Sequence, residues 1–201
     1  MLDIAGPPAP ETLRPSQLAR RQRIVRAALR ALASSDYDRV KISEVARESG
    51  VALGTLYRYF ASKEHLFAAV FMEWQGALKS KLEKSAPSGD TDADRLRDVF
   101  RRTIRAFQVQ PQFFRLLLVL NTTSDPYAAE IFQSAGPLFA EIVESAFAGP
   151  PDANREAIYT TINSVLDTRL RAWVMNRATI EQVYQGVDDA IRLIYEFCPG
   201  H

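Results

Sequence analysis

Between Leu53 and Lys63 the chain reads LGTLYRYFASK, which places Thr55, Tyr57, Arg58, Tyr59 and Lys63 within nine positions. Hydroxyl and phenol groups donate hydrogen bonds to phosphate oxygens, and a tyrosine ring packs well against a sugar. A guanidinium such as that of Arg58 can fork onto N7 and O6 of a guanine in a major groove. Lys63 follows Ser62, an expected helix cap, so this helix start and the Lys63 cation suit another phosphate. An ordinary solvated helix face would carry Glu, Lys and Ala instead. Leu56 and Phe60 lie four apart and are expected to face inward. Thr55, Arg58 and Tyr59 should then face outward, with Tyr57 at the border.

The elements around this stretch have the spacing of a helix-turn-helix. Ile24, Ala28, Ala31 and Leu32 form one apolar stripe, and Arg23, Arg26 and Arg30 a basic stripe on another face. That first helix is expected from about Ser16 to Ser34–Ser35. VKISEVARES reads as a short helix with Ile42, Val45 and Ala46 inward. Ala46 is small enough for a close helix crossing. Gly50 can take the positive φ of a short turn, and Val51 and Leu56 then pin the next helix, about Leu53 to Phe60. The basic stripe reads either as a solvated face or as a phosphate-facing one.

Charge follows the same division. Residues 1–66 carry a net +4 and the remainder −3, although the whole chain is only +1. The asymmetry hints at a polyanion near the N-terminal end. Four of the eleven prolines fall in the first fifteen residues, which read as a flexible arm. Arg14, Arg20 and Arg21 either reach DNA from that arm or stay free of it. MLDIAGPPAPETLRP lacks the basic and apolar regions of a signal peptide, and no apolar run is long enough to cross a bilayer. With one cysteine, Cys198, no disulfide framework is expected within the chain. A cytoplasmic protein without membrane contact is expected.

Catalysis has little to stand on. The histidines are His65, expected at the surface, and the terminal His201. No G-x-S-x-G, Walker A or G-x-G-x-x-G motif is present, and no His, Asp and Glu have metal-ligand spacing. Asp188 and Asp189 are adjacent on a helix and point about 100° apart. No enzyme activity, cofactor or metal is expected.

The rest of the chain is helical in period, which makes the fold all-α with about nine helices. A long helix should run from Ser62 to about Ser85, followed by a linker, APSGDTDAD. Leu96, Val99, Phe100, Thr103, Ile104 and Phe107 share one face of a helix that stops before Pro111. PQFFRLLLVLN is a short apolar helix. The next is expected from Asp125-Pro126 to about Ala148, kinked or broken at Gly136-Pro137. After Gly149-Pro150-Pro151, a helix from about Asp152 to Arg177 carries a stripe at Ile158, Ile162, Val165, Leu166, Leu170, Trp173 and Val174. Thr179 and Gln182 form a capping box for the last helix. The two terminal stripes read as a dimer interface, with Ile162, Leu166, Leu170, Val183, Val187, Ile191 and Ile194 as its residues, or as plain core. Phe113, Phe114, Leu117, Leu118, Phe132, Leu138, Phe139 and Trp173 are a candidate wall for a small hydrophobic effector, or plain packing. Arg115 either snorkels to solvent or pairs with an anionic effector.

Residues 20–67, above all VARESGVALGTLYRYFASKEHLF, resemble the DNA-binding domain of the TetR family of bacterial transcriptional regulators. The block Gly54-Thr55-Leu56-Tyr57-x-Tyr59-Phe60, the turn residue Gly50, and Ser62-Lys63-Glu64 with Leu66 carry the likeness. Two departures are Lys41 at the cap of the second helix, where many members have Thr or Ser, and Ala61, where many have Pro or Lys. The resemblance implies a ligand-responsive repressor acting as a homodimer on a palindromic operator in double-stranded DNA. It implies Thr55 and Arg58 near bases and Tyr57, Tyr59 and Lys63 on phosphates; Lys41 could add a phosphate contact. It divides the chain into an arm (1–15), a helix-turn-helix domain (16–61) and an effector-binding and dimerisation domain (62–201) whose first helix (62–85) connects the two. VALGTLYRYFASKEHL and RAWVMNRATIEQVYQGVDDAIRLI are also similar to actinobacterial repressors of sterol catabolism, which implies a steroid or acyl-CoA-like effector. The competing reading is an all-α lipid- or ligand-binding carrier that never meets DNA.

Overall fold

The computed structural model describes residues 6–149 and 153–197, save the side chains of Pro137, Leu138, Ala153 and Phe197. Among the described residues there are ten α-helices, two short 3₁₀ turns and no strand. The helices are α1 (Pro15–Ala33), α2 (Ile42–Ser49), α3 (Leu53–Tyr59), α4 (Lys63–Glu83), α5 (Asp92–Val109), α6 (Pro111–Asn121), α7 (Pro126–Gln133), α8 (Ala135–Glu144), α9 (Ala153–Val174) and α10 (Ile180–Phe197). They form two compact units. One comprises Met1–Trp74 with Arg115–Ala135, the other Gln75–Phe114 with Gly136–His201.

In the first unit α1 packs on α2 and α2 on α3. Ile24, Ala28 and Leu32 of α1 are buried, as are Val45, Ala46 and Ser49 of α2, while Arg23, Arg26 and Arg30 are exposed. Gly50 closes α2 in the left-handed region at φ 69°. The Val51 amide donates to the Ala46 carbonyl (3.0 Å) and the Gly50 amide to that of Arg47 (3.2 Å). This pair of bonds is a Schellman closure, and it reverses the chain into α3. The start of α1 differs from expectation. Pro15 is its first residue and Arg14 its cap, because proline is pre-set for a first helical position. Part of the supposed flexible arm is placed: Pro10–Thr12 form a 3₁₀ turn, and Gly6 lies against the Tyr127 ring. Residues 1–5 lie outside the described residues.

The second unit centres on α5, α9 and α10, with α10 packed on both others. The six residues expected on the inner face of α5 are the buried ones. Thr91 caps α5, accepting from the Asp94 amide at 3.2 Å. Thr179 and Gln182 make the expected reciprocal cap of α10 at 2.9 and 3.4 Å. Arg155, 8% exposed, donates to Glu144 and to the carbonyls of Ala148 and Gly149, which ties the start of α9 to the end of α8.

Two expectations change here. The helix beginning at Pro126 is two helices, and the break falls at Ser134, upstream of Gly136-Pro137. A proline has no amide hydrogen for the bond four residues back, so position 137 is tolerated only in the first turn of a fresh helix. The stripe assigned to a second chain is already covered by one. Ile162, Leu170, Val183 and Ile191 are 0% exposed, Val187 1% and Leu166 4%; only Ile194 is half-buried. Packing of α10 against both α9 and α5 buries what two helices alone would leave open. The stop at Pro150-Pro151 and the residue Cys198 lie outside the described residues.

A Cβ added at Gly50 would meet nothing within 4 Å, so the constraint there is the backbone alone. Gly50→Ala is expected to lower stability by about 1–2 kcal/mol, the cost of a Cβ in the left-handed region. Thermal unfolding of the two proteins checks this; equal midpoints would mean that the turn relaxes freely.

Candidate nucleic-acid interface

The local sequence decides which side of α3 is free. Leu56 and Phe60 are 0% exposed and Tyr59 6%, a stripe at i, i+3 and i+4. Tyr57 is 48% exposed, Arg58 is exposed and Thr55 is half-buried. Tyr59 is thus buried instead of outward, and Tyr57 lies beyond the border position expected of it. Tyr59 lies three residues from Leu56, on the anchoring stripe, whereas Tyr57 is about 100° away. The Tyr59 ring still borders an open recess of about 670 Å³ beside Thr55, Tyr57 and Arg58. Pro7, Pro8, Leu13, Gln17 and Arg20 from the N-terminal segment line the same recess, as does Tyr127 of α7.

The other cations divide into free and engaged. Lys41 is exposed at the cap of α2, 3.6 Å from Glu44, a surface pair worth little. Lys63 is half-buried. Its Nζ donates to the Tyr37 carbonyl at 2.6 Å and stands 4.3 Å from the centre of the Tyr37 ring. Burial lowers its pKa, partly offset by Asp38 and Glu64. The Tyr37 hydroxyl donates to Glu64 at 3.1 Å, and burial first, then the Glu64 charge, raises its pKa. Lys63 therefore fastens the turn before α2 to the first turn of α4.

His65 is not the surface residue expected. It is 7% exposed, stacked on Tyr127 (centroids 5.4 Å apart) and edge-on to Phe60 (5.3 Å). Its Nδ1 accepts from the Ala61 amide at 3.1 Å, while its own amide donates to the Ser62 hydroxyl at 2.8 Å, the expected cap of α4. Arg21 lies 4.8 Å over the other ring in this cluster, Phe60. The sequence signal for His65 and Tyr127 is weak, because each meets its partners only across the fold.

The residues proposed for an effector wall fall in both units. In the first, Phe132 packs on Phe71 (5.7 Å), and Leu117 and Leu118 are half-buried. Arg115 is exposed and pairs with Asp36 at 3.0 Å. In the second, Phe113 and Phe114 are buried, Phe114 edge-on to Phe107 (5.3 Å), and Phe139 meets Phe100 and Tyr159; Trp173 is half-buried. The side chain of Leu138 lies outside the described residues. A separate cavity of about 300 Å³ in this unit is lined by Leu82, Val99, Arg102, Glu141 and Ile142 among others, and by none of the expected wall residues.

This geometry coincides with the segments that match known proteins. Residues 24–70 match the model of bacterial regulatory proteins of the tetR family, and residues 89–194 that of the tetracyclin repressor-like C-terminal domain. The HTH-type transcriptional repressor KstR of Mycolicibacterium smegmatis is 31% identical over 180 residues, 89% of this chain and 88% of that protein. The chain belongs to the TetR family of bacterial regulatory proteins. A crystal structure of a TetR transcriptional regulator from Rhodococcus sp. RHA1 has the same fold, with TM-score 0.77 and 24% identity over 90% of this chain and 98% of that one. The FadR regulator of Bacillus subtilis, solved in complex with stearoyl-CoA, aligns with TM-score 0.62 and 19% identity over 87% and 97% of the two chains. Within the TetR family α2 and α3 are the helix-turn-helix, so the chain is a DNA-binding regulator and the carrier reading falls away. No described helix is long and apolar enough to cross a membrane.

Burial first, and the Arg21 charge second, hold the pKa of His65 at about 4 against the usual 6.5, with Asp125 opposing. The unfolded chain therefore takes up this proton before the folded one does. Stability from neutral His65 is complete above pH 6.5 and is lost as the pH falls toward 4. The thermal midpoint is expected to drop across that window and to drop less in His65→Asn, whose Oδ1 can replace the Nδ1 acceptor. Parallel curves would place the acid sensitivity elsewhere.

Proposed function

We propose that this protein is a repressor which, as a homodimer, grips a palindromic operator and is released by a small hydrophobic effector. The observation that carries this reading is α3, anchored by Leu56, Tyr59 and Phe60 with Thr55, Tyr57 and Arg58 on its accessible side. Thr55 and Arg58 are assigned to base edges, Tyr57 and Lys41 to phosphates. Tyr59 supports the recess wall, and Lys63 adds to phosphate binding only if it leaves the Tyr37 carbonyl. In a two-fold dimer the paired heads would meet successive major grooves, about 34–36 Å apart.

The division of labour follows the chain: a helix-turn-helix head over residues 16–61 and an effector and dimer domain over 62–201. Helix α4 is continuous between them, so a shift of α4 on effector binding would change the separation of two heads. The effector is assigned by class, either a steroid or an acyl-CoA-like molecule, the latter in line with the stearoyl-CoA bound by the FadR regulator of Bacillus subtilis. Within the second unit, Phe113, Phe114, Phe139 and Trp173 remain candidates for its wall. Arg115, held by Asp36, leaves that set.

The second chain is assigned to the faces of α9 and α10 opposite the buried stripes. There Thr161, Ser164 and Thr168 are exposed and small, and Leu193 is 50% exposed. Small side chains allow two helices to approach closely.

Gel retardation with DNA flanking the gene, across a salt series, tests the reading. Specific binding that weakens steeply with salt and is reversed by a long-chain acyl-CoA is expected; no retardation at any salt would end it. Arg58→Ala should cost about 1–3 kcal/mol and relax one base position. An equal loss on every sequence would move Arg58 to a phosphate. Leu193→Glu should yield monomers in sedimentation and abolish tight operator binding; an intact dimer would move the interface elsewhere.

A further inference from the structure

The accessible side of α3 holds more than polar groups. Leu53 is 42% exposed, although it belongs to the helix that carries Leu56 at 0%. A lone exposed leucine is common on protein surfaces. This one stands between two small exposed neighbours, Ala52 and Gly54. Gly54 sits in ordinary helix, with no left-handed backbone, and a Cβ added there would meet nothing within 4 Å. Glycine weakens a helix relative to alanine, and nothing among the described residues requires it at position 54. A helical glycine with open space above it fits the close approach of an external surface. Leu53 then projects beside that contact, flanked by small residues.

The external surface is the one assigned to α3 above, so this inference rests on the regulator reading. On the major-groove edges of the four bases the apolar group is the 5-methyl of thymine. We propose that Leu53 is a specificity-determining residue that buries the 5-methyl of one thymine in each operator half-site, with Gly54 allowing the helix to come that close. Thr55 and Arg58 supply the polar part of recognition, and Leu53 supplies an apolar part. Cytosine offers an amino donor and no methyl, so it is disfavoured at that step.

The test starts from a duplex selected out of a random-sequence pool with the full chain. Each thymine is replaced in turn by deoxyuridine, which removes only the methyl, and binding is followed by fluorescence anisotropy. One symmetric pair of thymines should matter, with affinity falling about fourfold per methyl, equivalent to ~0.8 kcal/mol. Leu53→Ala should bind the parent duplex more weakly and be indifferent to that replacement. Wild-type protein that tolerates every replacement, or Leu53→Ala that keeps the full effect, overturns the inference while leaving the regulator reading intact. Gly54→Ala provides a second arm. Its thermal midpoint should hold or rise while operator affinity falls; unchanged affinity would mean no close approach and would overturn the inference as well. Failure of the chain to select any sequence from the pool overturns the regulator reading, and this inference with it.

Discussion

Everything at the reading head depends on how seven residues are held. A helix as short as α3 is unstable by itself, because nucleation costs more than a few internal bonds return. Its orientation comes from outside, from Leu56, Tyr59 and Phe60 set into the first unit. Gly50 delivers the chain to that site at the right angle, and Ser62 starts α4 immediately afterwards. Between those two fixed ends α3 has little freedom to roll. Rigidity of this kind is what a base-reading surface needs, since a hydrogen bond to a base edge tolerates only small errors of placement.

A second layer surrounds that anchor. His65 sits between Phe60 and Tyr127, so the first turn of α4 and the helix α7 share one aromatic cluster. Lys63, Tyr37 and Glu64 tie the same turn to the segment before α2. Arg115 of α6 reaches Asp36 in that segment. Helices far along the sequence therefore contribute to the unit that carries the head, which gives movements of α6 and α7 a physical route to it.

Much of this is legible in the chain's own letters, for identifiable reasons. Capping chemistry is local, so Ser62, Asp125, Gly50 and the Thr179–Gln182 pair can be read from neighbours three or four residues away, whereas Thr91, read as linker, also caps a helix. The inner face of α5 is equally plain, since its apolar residues keep a strict helical period. Tyr59 escapes such reading because two anchors, Leu56 and Phe60, leave the stripe's edge undefined, and an amphipathic ring can lie on either side of it. His65 escapes it because its burial depends on Tyr127, 62 positions away. The broad stripes of α9 and α10 are real, but a period shows only that a face is covered. It does not say whether α5 of the same chain or another molecule covers it.

The interleaving on α3 carries one evolutionary consequence. Buried anchors (Leu56, Tyr59 and Phe60) and exposed residues (53, 54, 57 and 58) are interleaved along a single short segment, so the two sets can change separately. Substitutions at 53, 54, 57 and 58 fall on open ground, where surface changes usually alter stability by under about 0.5 kcal/mol. Changes at 56, 59 or 60 would open a cavity in the fold. Under the proposed reading of α3, descendants of this chain can drift toward new target sequences through one set of positions, while the other set keeps the scaffold unchanged through the search.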